Sequence, residues 1–463
     1  MPLPLSILVL FLPSPLKILF LRAAGHKAGK NCHIGFSIIN ARTVCLGDNT
    51  FIGHFNRTHL RQPHHSRSYN GAPPSTARFL RAAVVLEDSR LGGPQMRVVQ
   101  VASGLNAMGI ETTVLFTKES SGKLAERLSE TGIRGMPLPI TRPGKGKMVL
   151  ARYAVSFLAD IFLLYRVFRR ERFDLVHVNG AYQFKGAIAG RLAGTPVVWH
   201  LNDTGMPGTV KRLFVLIARF CASGFIVAGE RVRNYYLKGT GLEGRPCIKI
   251  QAPVDTGFFD PEKRTNGGNK SRRRPVSRRS MRILTVANVN PWKGYEHFIE
   301  MAAALTQTCG DLQFLAAGGI YSSHTGYFSG LKRMIESKGL ENIFFLGRRD
   351  DVSALLESAD IYVCSSLSEA SPMSVWEAMS MEKPVVSTDV GDVRRYIRDG
   401  ENGFIVPVGD VRAMTEKVRA LIEDERMRRT FGGRAREVAV RELDVGICAE
   451  KHAVFYRRIA AGR

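Results

Sequence analysis

The sequence predicts an α/β chain built from two doubly wound, parallel-sheet domains that face a cleft. Three observations carry this. At 463 residues the chain is too long for one ordinary domain. Twice along it, short apolar runs of strand length alternate with amphipathic helical stretches. Strands that are apolar throughout and separated by helices belong to parallel sheets covered on both faces. The two alternations are separated at 261–280 by a basic stretch with Gly267-Gly268, Pro275 and several Ser, which reads as an exposed linker. The division is therefore an arm over 1–77, a first Rossmann-like domain over 78–260, the linker, and a second Rossmann-like domain over 281–463.

The arm begins with an apolar stretch, Met1 to Leu21, broken by Pro2, Pro4, Pro13 and Pro15. No uninterrupted run reaches the ~20 residues that span a bilayer. Residues 16–22 read as a short helix lying on a membrane or packed on a neighbour. Residues 30–57 then carry a six-residue period, with Ile34-Gly35, Leu46-Gly47 and Ile52-Gly53 in phase. That period resembles the left-handed β-helix of hexapeptide acyltransferases. It covers little more than one coil, so a remnant without acyltransferase activity is expected, because such coils need neighbours to bury their faces. His54, His59, His64 and His65 lack acidic or Cys companions and read as a polar linker.

In the first domain, Ala82–Leu86 and Thr112–Phe116 read as strands around a helix from Gln95 to Met108. Further strands follow near 174–178, 196–199, 225–227 and 248–250. Gly92-Gly93 precedes the first helix, where glycine lets backbone approach a ligand. Arg97 lies one turn into that helix, facing either an anionic acceptor or solvent. His200 closes the strand Val197-Val-Trp-His and can hydrogen-bond a sugar hydroxyl or serve as a core histidine. His177, inside a strand, reads as structural. Phe157 to Arg172 sets Phe157, Ile161, Phe162, Leu164 and Phe168 against Arg166, Arg169, Arg170 and Arg172. This stretch is either a basic membrane-surface helix or a core helix with a solvated end.

In the second domain, strands read at 282–287, 312–316, 342–346, 360–364, 384–387 and 403–406. After the strand ending at Cys364 comes a polar turn, then Glu369-Ala-Ser-Pro-Met-Ser-Val-Trp-Glu377. Ser371 reads as an N-cap and Pro372 as the first helical residue, with Met373 following. A helix N-terminus suits a phosphate, and two carboxylates beside it can accept hydrogen bonds from sugar hydroxyls.

These residues resemble the E-x7-E motif of retaining glycosyltransferases of the GT-B fold, family 4. The resemblance covers about residues 78–463. It implies that Glu369 contacts the donor sugar and acts in catalysis with His200, and that Glu377 holds the nucleotide ribose. It also implies a diphosphate grip from Asn288-Val-Asn-Pro-Trp-Lys293-Gly294. Lys293 keeps the family's lysine, whereas Asn288 stands where an Arg is usual, so Arg348 or Arg349 is expected to compensate. Gly92, Gly93, Ser371 and Met373 would line the donor site. Asp389-Val-Gly391 and Glu401-Asn-Gly403 read as architecture around it.

The expected activity is transfer of a hexosyl unit from a nucleoside diphosphate sugar to a hydroxyl acceptor: a polysaccharide, a lipid-linked sugar or a small glycoside. No cofactor and no essential metal is expected, since no D-x-D motif stands out. A GT-B epimerase or phosphorylase stays open, though no pyridoxal lysine can be assigned. The formal charge of +25, from 66 Lys and Arg against 41 Asp and Glu, suits an anionic partner. Nine basic residues and no acidic ones fall between Lys263 and Arg282. Charge alone keeps a nucleic-acid-binding protein in view, but no recognition motif accompanies it, and no nucleic-acid partner is expected. Seven scattered Cys without a C-x-x-C fit reduced thiols in a cytoplasmic protein. Peripheral contact with the inner membrane face fits the basic helix.

Overall fold

In the computed structural model the chain divides into two compact units, Met1–Ala77 and Arg78–Arg463. The described residues are 80–86, 88–90, 92–119, 121–142, 146–265 and 280–462, with short strand segments between 27 and 59. In the first unit these segments form three parallel pairs. Lys27 pairs with Cys45 and His33 with Phe51, each eighteen residues on; Ile38 pairs with Arg57, nineteen residues on. The apolar start at 1–21, the side chains of the arm histidines and the stretch 266–279 lie outside the described residues.

The second unit holds two parallel sheets. The first contains β1 (Leu80–Leu86), β2 (Ile110–Thr117), β3 (Arg134–Leu138), β4 (Leu175–Asn179), β5 (Val197–Leu201), β6 (Gly224–Val227) and β7 (Cys247–Lys249), in the order β3-β2-β1-β4-β5-β6-β7. The second contains β8 (Met281–Val286), β9 (Leu312–Ala317), β10 (Ile343–Gly347), β11 (Ile361–Cys364), β12 (Val385–Thr388) and β13 (Phe404–Val406), in the order β10-β9-β8-β11-β12-β13. Strand order reverses between β1 and β4 and between β8 and β11. Ligands of doubly wound sheets bind outside the carboxyl ends of the strands at such a reversal. The loops after β1, β8 and β11 are therefore the ones to inspect.

β3 escapes the sequence reading. Its Arg-Gly-Met-Pro-Leu run carries a Pro and a Gly, which a central strand does not accept. It sits at the edge of the sheet, where a missing N–H costs no ladder bond.

The helices that matter below are α1 (Gly93–Ala107), α2 (Lys147–Glu171), α3 (Phe184–Leu192), α4 (Gly208–Cys221), α5 (Met373–Ser380) and α6 (Val445–Ala461). α2, α3 and α4 bury one face of the first sheet through Leu164, Phe168, Ala187 and Phe214 around Trp199. The last helix departs from the expected division at 281. α6 leaves the second domain and packs on α1 and the first sheet, with Phe455, Tyr456 and Ile459 against Leu175, Val198 and Ile226. A Cβ at Gly104 of α1 would fall 2.5 Å from the Cβ of Ala449, so only glycine lets these helices touch. The crossing chain is pinned by paired backbone bonds, Val254 N to Leu443 O at 2.9 Å and Val445 N to Val254 O at 3.1 Å.

Candidate active site

The loop after β8 ends in one 3₁₀ turn, Pro291–Lys293, with Asn290 Oδ1 accepting from Trp292 N at 3.0 Å. Gly294 follows at φ 60°, and a Cβ there would lie 2.1 Å from Ser365 O. Glycine thus allows this loop to cross tight against the end of β11. The two loops are joined by Leu367 N to Trp292 O at 2.8 Å and Ser365 Oγ to Lys293 O at 3.0 Å. The crossing sets Lys293 beside Glu369. The Nζ of Lys293 donates to Glu369 Oε1, and Ser366 Oγ donates to the same oxygen at 2.9 Å. The lysine read as a phosphate ligand and the carboxylate read as a sugar ligand are therefore one partly buried ion pair.

Glu377 lies two turns along, on the short helix α5, whose Val375, Trp376, Ala378 and Met379 are buried in the second domain. Its own carboxyl is partly buried. Desolvation pushes its pKa up to about 7. A carboxyl poised there is only half ionised at neutral pH and gains by accepting hydrogen bonds. Because the folded pKa is raised, the protonated form stabilises the fold fully below about 4.5. That contribution is lost as pH rises through 7. The expected outcome is that Glu377→Gln raises the stability of the donor-free protein at pH 8, by at most about 3 kcal/mol, and leaves it unchanged at pH 4.5. Chemical denaturation at the two pH values checks this, and an equal effect at both would remove the buried-carboxylate account.

The helix start differs from the expectation. α5 begins at Met373, with Pro372 at the cap position. Ser371 makes no cap bond; its Oγ accepts from Trp376 Nε1 at 3.3 Å and from Ala252 N of the first domain at 3.1 Å. The hydroxyl ties the two domains together rather than closing the helix end. Opposite, α1 begins one residue after Gly92, with Pro94 in its first turn. A Cβ on Gly93 would lie 3.4 Å from Met373 Sδ, so the starts of α1 and α5 face each other across the two domains.

Asn288 is not idle in the arginine position. Its Oδ1 accepts from Gly319 N at 3.1 Å, fixing the loop after β9. Arg349 is held by Asp351 through bonds of 2.8 and 2.7 Å. Arg348 is half-exposed, 3.9 Å from Asp350, and lies beside Gly319. Of the two arginines it is the one placed to reach a ligand over the β8 and β9 loops.

His200 does not face the cleft. It is 1% exposed, and both ring nitrogens are engaged. Arg97 Nη1 lies 2.6 Å from Nε2, and His177 Nε2 lies 3.1 Å from Nδ1. Arg97 is itself buried and also donates to Asn202 Oδ1 at 2.9 Å and Ile250 O at 3.2 Å. α6 completes the cluster with His452 and Tyr456 around a cavity of about 10 Å³, near the size of one water. Desolvation, then the Arg97 charge, holds His200 well below the usual histidine range. In this structure the ring is packed with Arg97 and His177 rather than open to the cleft, unlike the catalytic placement expected for it. The sequence reading also missed His452. Cys448, His452 and Tyr456 recur every four residues on one face of α6, a pattern visible in the sequence but without a visible partner. Donor atoms of His177, His200 and His452 lie within 4.8 Å of one another. A cation there would meet the Arg97 guanidinium, so the donor set does not suit a metal.

Two family descriptions match the two domains in turn: "Glycosyl transferase 4-like domain" over residues 92–235 and "Glycosyl transferases group 1" over 269–438. Together they span well over half of the chain. This chain is a GT-B glycosyltransferase. The transferase is 32% identical to "Putative glycosyltransferase EpsD" of Bacillus subtilis over 34% of its own length and 41% of that protein's. It is 23% identical to "Phosphatidyl-myo-inositol mannosyltransferase" of Mycobacterium leprae over 80% of its length and 94% of the relative's. Among solved structures it resembles Anabaena Alr3699/HepE in complex with UDP-glucose, with a TM-score of 0.68, 21% identity, and coverage of 82% and 100%. The transferase thus has both halves of the fold in the expected order.

Proposed function

We propose that this transferase moves a hexosyl unit from a nucleoside diphosphate sugar to a hydroxyl acceptor with retention of anomeric configuration. The observation that supports this most is the Lys293–Glu369 pair at the strand-order reversal of the second domain, with Glu377 two turns beyond. When the donor binds, Lys293 turns to the diphosphate and Glu369 is released to the sugar hydroxyls. Glu377 accepts from the ribose. Lys293, Arg348 and the first-turn N–H groups of α5 then balance the leaving diphosphate, so catalysis proceeds without a resident metal. The bond from the anomeric carbon to the phosphate oxygen breaks, the bond to the acceptor oxygen forms, and the acceptor proton leaves with the diphosphate.

A panel of nucleotide sugars with simple glycoside and lipid-linked acceptors tests this. Release of free nucleoside diphosphate, and an anomeric coupling in the product that matches the donor, is the expected result. Epimerised nucleotide sugar with no diphosphate released would overturn it. Lys293→Ala should raise donor KM at least tenfold, and the loss should shrink as salt rises, because the contact is charge against charge. A KM equal to wild type would move phosphate recognition to Arg348.

A lipid-linked acceptor is the reading we favour, as one relative is named for a phosphatidylinositol substrate. With that acceptor we read the enzyme as cytoplasmic and peripheral at the inner membrane face. For the arm, the eighteen-residue offset of two of its three described strand pairs equals three hexads and supports a hexapeptide-like coil, while the third pair is offset by nineteen. We read it as a remnant without its own activity.

A further inference from the structure

α2 is two helices in one by environment. Its carboxyl half buries Ile161, Leu164, Val167 and Phe168 in the first-domain core. Of the two readings open for the stretch from Phe157 to Arg172, this half takes that of a core helix. The amino half projects instead: Met148 is 87% exposed, Val155 86% and Leu158 61%. Among the described residues this is the one helix long and apolar enough to cross a membrane, with a window of mean hydropathy 1.6 of which 17% is buried. It does not span one, since its second half is packed on the sheet and α3.

α4 flanks α3 on the same side of the sheet. It too shows apolar residues outward, Leu213, Leu216 and Phe220, at helical spacing and 42–51% exposed. Basic residues border both stripes: Lys147 and Arg152 on α2, Arg212 and Arg219 on α4. The acidic residues of these helices are only two. Asp160 is buried against Lys185 at 2.8 Å, and Glu171 is held by Arg134 at 2.9 Å and Arg170 at 3.0 Å. Within these two helices the exposed side chains are apolar and basic, and neither acidic residue is left uncompensated.

We propose that the amino half of α2 and the outer stripe of α4 form one docking face for an anionic lipid bilayer. Apolar side chains enter the headgroup boundary while flanking cations meet acidic headgroups. A second copy of this chain is the weaker occupant. A two-fold contact would set these basic borders against each other on a protein of charge +25. The proposal deepens the lipid-linked acceptor reading and rests on it for its purpose, while its geometry stands apart from the donor site.

The test is flotation of the full chain with vesicles of phosphatidylcholine, with and without phosphatidylglycerol. Wild type should float with the anionic vesicles, less so as salt rises. Val155→Glu with Leu158→Glu should lower the bound fraction about tenfold or more, and Leu216→Glu should lower it independently. Arg152→Glu with Arg212→Glu should abolish the preference for the anionic lipid. These side chains are exposed, so melting temperatures should hold, and release of nucleoside diphosphate from soluble donor should hold too. Wild type that stays at the bottom with both vesicles, or charge-introducing variants that float like wild type, overturns the proposal. A dimer that Leu158→Glu splits, without flotation of wild type, would assign the face to a second copy. Flotation without any diphosphate release would sustain the docking face and reject the donor reading instead.

Discussion

Glu369→Ala should lower kcat/KM by on the order of 100-fold or more while leaving the melting temperature near wild type. Groups aimed at charge that develops in the transition state are worth on the order of 100- to 1000-fold each. Glu369 is held ready by Ser366 and Lys293 on a loop pinned to its neighbour by two further bonds. The alanine variant leaves Lys293 without its carboxylate. That free cation should bind nucleoside diphosphate as well as wild type or better, so the loss falls on kcat rather than on donor KM. Glu369→Gln keeps the shape and one acceptor, and should recover only part of the rate. Steady-state kinetics with the true donor, beside calorimetry with the nucleoside diphosphate, separates these effects. If Glu369→Ala weakens diphosphate binding and leaves kcat intact, the residue is a scaffold for Lys293 and not a sugar ligand.

The second large effect is acid lability. His177, His200 and His452 are buried and neutral, with desolvation the leading cause and Arg97 adding to it in each. His452 is held down at about 3, and the other two lie well below the usual range. A depressed histidine contributes stability that is present above its unfolded pKa, near 6.5, and is lost as pH falls below it. Below that pH the unfolded chain binds protons that the folded cluster resists, so stability falls with pH. Glu377 opposes this, since the folded state holds one extra proton between about 4.5 and 7. The net expectation is a loss of stability as pH falls below about 6.5, with the histidine cluster outweighing the single carboxyl. Urea denaturation at stepped pH reads the slope. His452→Phe, which keeps a ring against His177, should flatten it by about 1.4 kcal/mol per unit. A slope that stays the same in His452→Phe would show that carboxylates elsewhere carry the effect.

Much was legible in the sequence because its signals are local. A run such as Ile361–Cys364, short, apolar on both faces and followed by polar turn residues, reads as an interior parallel strand, and it is one. Six such runs in the second domain and six in the first determined two doubly wound sheets. The order of loops and the Glu369 to Glu377 spacing follow from chain continuity alone. What the sequence could not decide is which distant groups meet. Ser371 looks like a helix cap until Ala252, over a hundred residues earlier, donates to it. Asn288 looks like a lost charge until Gly319 is found on its oxygen. His200 could serve sugar or core, and Arg97, His177 and the helix from the far end of the chain decided for the core. The two halves of α2 share one apolar composition, and only packing against the sheet shows which half is buried. Burial and hydrogen-bond partnership are properties of pairs brought together by folding, whereas periodicity and turn chemistry belong to a few consecutive residues. The first kind of information exists only once the chain has closed on itself.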